Sequence, residues 1–271
     1  MNLQSIFSEL EQVDLEFFER MAHVSRRGLF NTLTKKTVAV AAPAIMASAL
    51  TEAYGQASTL PDNVVDVLNF ALTLEYLEYR FYDAGKNFGT IPAALSLPFE
   101  QIREHEEIHV KLLKTVLGSR AIAEPKFDFT AKGMFPTVFS NFETFTAVSQ
   151  AFEDTGVRAY KGQATNLMNA KPILEVALRI HAVEATHAAR VRYLRGQKGW
   201  VSQASLSGLP ASVGSAVYKN EDNTIQSPAS GNFNVYAIAA PMGVTLDGAT
   251  EAFDEPLSKE EVLAIASPFL A

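Results

Sequence analysis

Read at alternating steps of four and three, Ile173, Ala177, Ile180, Glu184, His187, Val191 and Leu194 form one stripe of a long helix. The stripe is apolar at both ends and carries a carboxylate and an imidazole at its centre. Phe99, Ile102, Glu106, His109, Leu113 and Val116 repeat the arrangement. Two further stripes carry polar residues where apolar ones belong: Val64, Leu68, Ala71, Glu75, Glu78 and Tyr82, and then Ser149, Glu153, Gly156 and Tyr160.

These stripes predict four helices. The first opens at Leu60-Pro61-Asp62-Asn63, with Asp or Asn as the cap, and runs to about Ala84-Gly85. The second spans about 98–117, the third about 141–168, and the fourth runs from Pro172 to about Arg195-Gly196. The corner Asn169-Ala170-Lys171-Pro172 is tight, so helices three and four are antiparallel neighbours. The connection through Pro125, Gly133 and Pro136 is long, as a crossover from one end of a bundle to the other requires. The expected class is all-α: a four-helix bundle over 58–196, then an irregular extension over 197–271. In the extension, an extended run is read at Asn234 to Ala239. Ser258-Lys259-Glu260-Glu261 is a capping box opening a short closing helix, and the extension is expected to pack on the bundle.

The first 57 residues differ in character. Ser25-Arg26-Arg27-Gly28-Leu29-Phe30 and Lys35-Lys36 precede an uncharged run from Thr37 to Thr51, and small residues suited to cleavage end at Ala57. This is the order of a twin-arginine export signal, with Leu29 and Phe30 inverted. The run is too short, and too interrupted by Pro43, to serve as a stable membrane anchor. An amphipathic helix of the mature fold is the competing reading of this segment, whose acidic start carries an apolar face from Leu3 to Met21.

Composition narrows the chemistry. The formal charge is -7 without a basic patch among aromatics, which argues against nucleic acid as a partner. Cysteine is absent, so disulfides, thiolate metal sites, iron-sulfur centres and thiol nucleophiles are excluded. Any metal must be held by Glu, Asp and His.

A buried, unpaired carboxylate costs several kcal/mol, so the stripes call for compensating cations. Their spacing is repeated. Glu75 to Glu106 is 31 residues, as is Glu153 to Glu184, and Glu75 and Glu153 are each followed seven residues on by a tyrosine, Tyr82 and Tyr160. Among the five histidines only His109 and His187 have Glu three residues before them. Each half thus supplies one Glu and then a Glu-x-x-His. In a four-helix bundle such a set converges on two metal ions, and four carboxylates balance two divalent charges. Oxygen-rich donors with two imidazoles suit iron or manganese better than zinc or copper. The repeat breaks where Glu78 aligns with Gly156: either Glu78 leans into the space the glycine leaves, as a fifth carboxylate, or the glycine only lets two helices approach and Glu78 points to the bundle's edge.

At these residues the chain resembles the ferritin-like superfamily, in particular the ferritin-like domain family of exported bacterial and desiccation-related proteins. Leu74-Glu75-Tyr76-Leu77-Glu78-Tyr79-Arg80-Phe81-Tyr82 is similar to that family's first-helix signature, and Ala252-Phe253-Asp254-Glu255-Pro256-Leu257 to its C-terminal one. The resemblance implies a ferritin-like bundle with metal ligands Glu75, Glu106, His109, Glu153, Glu184 and His187. Glu78, Tyr82 and Tyr160 are the candidate catalytic residues. The chain departs from many di-iron bundles in carrying His105 and Val183, not Asp, before the Glu of each Glu-x-x-His.

The function expected is that of an exported protein holding two iron ions, or alternatively two manganese ions. It would oxidise ferrous iron or consume peroxide or oxygen in stress protection, in the periplasm or otherwise outside the cytoplasm. The alternative is a non-catalytic, desiccation-related structural or metal-binding protein. A homo-oligomer is left open.

Overall fold

A computed structural model describes residues 60–203, 206–227 and 231–271. The twin-arginine segment read over 1–57 lies outside the described residues. Four long helices dominate: α1 (Asp62–Asn87), α2 (Ser96–Leu117), α3 (Phe142–Gln163) and α4 (Lys171–Leu194). Helix α1 packs chiefly on α2 and α3 on α4, and α1 touches α3, so two helical hairpins close one bundle.

Local chemistry sets most boundaries. Asn141 caps α3 by accepting from Thr144 N at 2.8 Å, and Pro172 lies in the first turn of α4, where a missing N–H costs nothing. Three boundaries differ from the sequence reading. Helix α1 has no side-chain cap: Pro61 stands at the cap position, Asp62 is already in the first turn, and Arg120 holds the start by donating to Leu60 O at 2.8 Å. Helix α2 begins at Ser96, which leaves Pro98 in its first turn. The helical signal to Met168 divides, with α3 ending at Gln163 and a 3-10 turn over Ala164–Leu167 tightening the chain into the corner.

The crossover from Ala121 to Ser140 is irregular and contributes aromatics to one end of the core. Phe81 stacks on Phe145 with centroids 4.8 Å apart, and Phe152 and Phe129 meet Phe81 edge-on at 5.0 and 5.5 Å. The chain's end closes on this region. Phe127 bridges Leu270, and Asp128 N donates to Phe269 O at 2.8 Å.

The extension holds α5 (Ala211–Val217), a two-strand ladder of β1 (Ile225–Gln226) with β2 (Phe233–Asn234), α6 (Val235–Ala239), α7 (Leu246–Thr250) and α8 (Lys259–Ala266). Where an extended run was read at Asn234 to Ala239, only Asn234 is in a strand. Its side chain accepts from Ala237 N at 2.8 Å and starts a helix instead. The capping box at Ser258 and Glu261 is formed.

Helix α3 is buried on nearly every face, because the bundle covers one side and the extension the other. A Cβ on Gly162 would stand 2.0 Å from Leu257 O, so only glycine allows the extension's backbone to lie this close. Charges face the extension here, and each is paired. The Arg158 guanidinium, fully buried, donates to Glu255 O at 2.7 Å and to the carbonyls of Val217 and Lys219, and lies 3.0 Å from Glu221. Asp154 pairs with Arg192 and accepts from Tyr218 Oη at 2.8 Å. Among the described residues no helix is long and apolar enough to cross a membrane.

Candidate metal centre

The four helices bring all six residues of the two Glu-x-x-His halves into one buried cluster. Helix α1 contributes Glu75, α2 Glu106 and His109, α3 Glu153, and α4 Glu184 and His187. They form two overlapping groups of four, Glu75, Glu106, His109 and Glu184 in one and Glu106, Glu153, Glu184 and His187 in the other, each with donor atoms within 4.8 Å of one another. Glu106 and Glu184 belong to both.

The two shared carboxylates each turn one oxygen to each imidazole. Glu106 Oε2 lies 3.1 Å from His109 Nδ1 and its Oε1 lies 2.8 Å from His187 Nδ1. Glu184 Oε1 is 3.2 Å from His109 Nδ1, and its Oε2 is 3.9 Å from His187 Nδ1. Glu75 adds an oxygen 3.1 Å from His109, and Glu153 one 3.3 Å from His187. Both histidines therefore face the cluster through Nδ1, and Glu75 and Glu153 each serve one end.

The tyrosines of the repeat cross between hairpins. Tyr82 Oη donates to Glu153, and Tyr160 Oη donates to Glu75, so each terminal carboxylate is held from the opposite hairpin. Burial, and then the charge of the carboxylate it bonds, raises the pKa of each phenol, so both remain donors. Glu78 is buried beside Gly156. A Cβ at that glycine would lie 3.0 Å from Glu78 Oε1 and 3.3 Å from Glu184 Oε2, so the missing side chain is what admits the fifth carboxylate.

Electrostatics shows what this arrangement demands. Burial pushes the Glu75 carboxyl up to about 8 despite the attraction of His109, and pushes Glu153 up to about 8 despite that of His187. Glu78 is raised well above its ordinary value by burial and then by the charges of Glu184, Glu106, Glu153 and Glu75. Burial acts the same way on Glu106, but the attraction of both imidazoles outweighs it and holds that carboxyl below its usual range. The imidazoles are raised in turn, against burial, by the carboxylates around them, with Glu75 foremost for His109 and Glu153 for His187.

The donor set fits metal cations. Glu106 Oε1, Glu153 Oε2, both oxygens of Glu184 and His187 Nδ1 are buried and make no hydrogen bond. Each such atom costs about 1–3 kcal/mol when nothing compensates it. All five belong to the shared cluster, where bound metal would satisfy them.

Two arrangements escaped the sequence reading. His105, outside the repeat, places Nδ1 2.9 Å from His187 Nε2. Its only signal was its position immediately before Glu106. The charges Asp154 and Arg158 gave no signal either: Arg158 is answered by the extension, and Asp154 by Arg192 of α4 and Tyr218 of the extension. His181 belongs to neither metal group: its Nδ1 donates to Val157 O at 3.0 Å, and the ring lines a separate cavity of about 260 Å³ with Lys161, Arg192 and Trp200.

Among curated proteins, none is matched by this chain. Residues 63–197, the segment that carries every member of the cluster, match the family model described as a ferritin-like domain, and the chain belongs to the ferritin-like superfamily.

Proposed function

We propose that the chain is an exported di-metal carboxylate protein that oxidises ferrous iron or consumes peroxide or oxygen in stress protection. The observation that carries this reading is the set of five buried donor atoms without hydrogen bonds, turned toward one another from three helices. Glu75, Glu106, His109 and Glu184 would hold one ion, and Glu106, Glu153, Glu184 and His187 the other. Four carboxylates and two imidazoles favour iron or manganese. When bound, such a pair supplies electron transfer to or from oxygen species.

The chain's own residues supply positioning and protons. Tyr82 and Tyr160 fix Glu153 and Glu75 by hydrogen bonds, so the two terminal carboxylates keep their remaining oxygens on the centre. Glu78, buried beside Glu184, is the carboxyl placed to exchange a proton with a small molecule at the centre. A cavity of about 150 Å³ lined by Lys86, Phe99, Glu100 and Arg103 reaches inward as far as Tyr82, whose hydroxyl bonds Glu153. Its size suits oxygen, peroxide or water rather than an extended organic substrate.

Elemental analysis of the purified chain, with peroxide consumption and ferrous oxidation measured on the same sample, tests the reading. About two iron or manganese ions per chain with turnover supports it. Two ions without turnover favours the non-catalytic stress-linked role, and trace metal after anaerobic reconstitution refutes the di-metal reading altogether.

A further inference from the structure

The two histidines of the centre are supported differently behind the cluster. His187 turns Nδ1 to the carboxylates and presents Nε2 to His105 Nδ1 at 2.9 Å. The two rings are within 15° of parallel with centroids 5.2 Å apart. A 2.9 Å contact between nitrogens spans most of that separation, so the rings meet edge to edge in nearly one plane, the geometry of a hydrogen bond rather than of a stack. His109 makes no such bond among the described residues, since its contacts all use Nδ1. The residue that precedes Glu184, as His105 precedes Glu106, is Val183, whose side chain can accept nothing.

Valence then fixes the protons. A nitrogen that gives its lone pair to a cation leaves the ring's proton on the other nitrogen, so His187 must donate through Nε2. His105 Nδ1 is the acceptor, which leaves its own N–H on the far side of a ring that is part-buried.

Resting on the di-metal reading, we propose that His105 is a positioning residue for one metal position only, the one served by Glu153 and His187. It locks His187 in the tautomer and ring orientation that point Nδ1 inward, whereas the position served by Glu75 and His109 has no such brace. The two positions therefore differ in affinity through a residue that touches neither ion.

The test is anaerobic titration of the full chain with Mn²⁺ against a competing chelator. Loss of an outer hydrogen bond to a ligand histidine typically costs about 10–100-fold in metal affinity. His105→Ala should weaken one of the two ions by about that factor and leave the other unchanged. His105→Asn, whose side-chain oxygen falls near the place of Nδ1, should recover most of the loss. Val183→Ala should alter neither ion. In zinc-loaded protein the His187 Nε2 proton should exchange slowly in the wild type and in His105→Asn, and fast in His105→Ala. Equal weakening of both ions, no weakening, or an Asn variant no better than Ala overturns the role of His105 while leaving a two-ion centre standing. A wild-type chain that binds no Mn²⁺, Fe²⁺ or Zn²⁺ overturns the di-metal reading, and this inference with it.

Discussion

Stripping metal from the protein should invert the usual pH dependence of its stability. Glu75 and Glu153 have carboxyls raised from 4.5 to about 8 by burial in the fold. Between about pH 5 and 8 these two groups hold protons in the folded chain that the unfolded chain has released, and the raised Glu78 carboxyl acts in the same direction, so the native state binds more protons and stability falls as pH rises. Each such group costs about 1.4 kcal/mol per pH unit, or roughly 3 for the pair. The raised imidazoles of His109 and His187 act in the same direction above their ordinary pKa near 6.5. Glu106, which is depressed, loses stability only in acid below the usual carboxylate range and does not enter this window. Water admitted to the centre lessens the penalty, so about 1 kcal/mol per pH unit is the expected floor. For a domain of this size that is a fall in Tm of at least about 2–4 °C per unit. Thermal melts of chelator-treated protein at pH 5.5, 6.5, 7.5 and 8.5 read this directly. Added Mn²⁺ should abolish the decline, because the ions displace those protons and bind more tightly as pH rises. Replacing both Glu75 and Glu153 by Gln should make the metal-free decline shallower. A metal-free Tm that is level or rising from 5.5 to 8.5 would refute the reasoning.

Other expectations follow from single side chains. Glu75→Gln should reduce bound metal from two ions toward one, whereas Glu78→Gln should keep both and slow turnover at least about tenfold, read by elemental analysis and peroxide consumption. The reverse pattern would make Glu78 the ligand of α1. Arg158→Ala should destabilise the fold by about 3–5 kcal/mol, because it leaves the buried Glu221 carboxyl without its cation and frees three carbonyls of the extension, and denaturant melts would show it. Replacing Arg26-Arg27 by two lysines should hold a longer, unprocessed chain in the cytoplasm, visible on an immunoblot of cell fractions. Wild-type mature protein that starts near Met1 would instead place residues 1–57 in the fold.

What the sequence could and could not convey follows from how each contact is encoded. The Glu-x-x-His pairs and the equal spacing of 31 residues are periodic along helices, and a helix turns periodicity into a shared face, so the cluster was legible before any coordinates. Gly156 opposite Glu78 was legible for the same reason, since a repeat that breaks at one register position marks a space. His105 was not, because it sits one residue off the seam, and its partner is a histidine 82 positions later whose outer nitrogen no pattern specifies. The extension was opaque for a stronger reason. Its hold on α3 runs through backbone carbonyls of Val217, Lys219 and Glu255 and through the space above Gly162, and carbonyls carry no residue identity. Only the buried charge on α3 could have hinted at it: Asp154 and Arg158 flank the face of Glu153, and a helix charged beside its core face must be covered by something that answers those charges. In this chain the cover is the segment whose composition looked least structured, and it seals the helix that supplies Glu153 and Tyr160. The rigidity of the centre therefore depends on residues some 60 to 100 positions away, and loosening the extension should disturb Glu153 and Tyr160 before it disturbs α2.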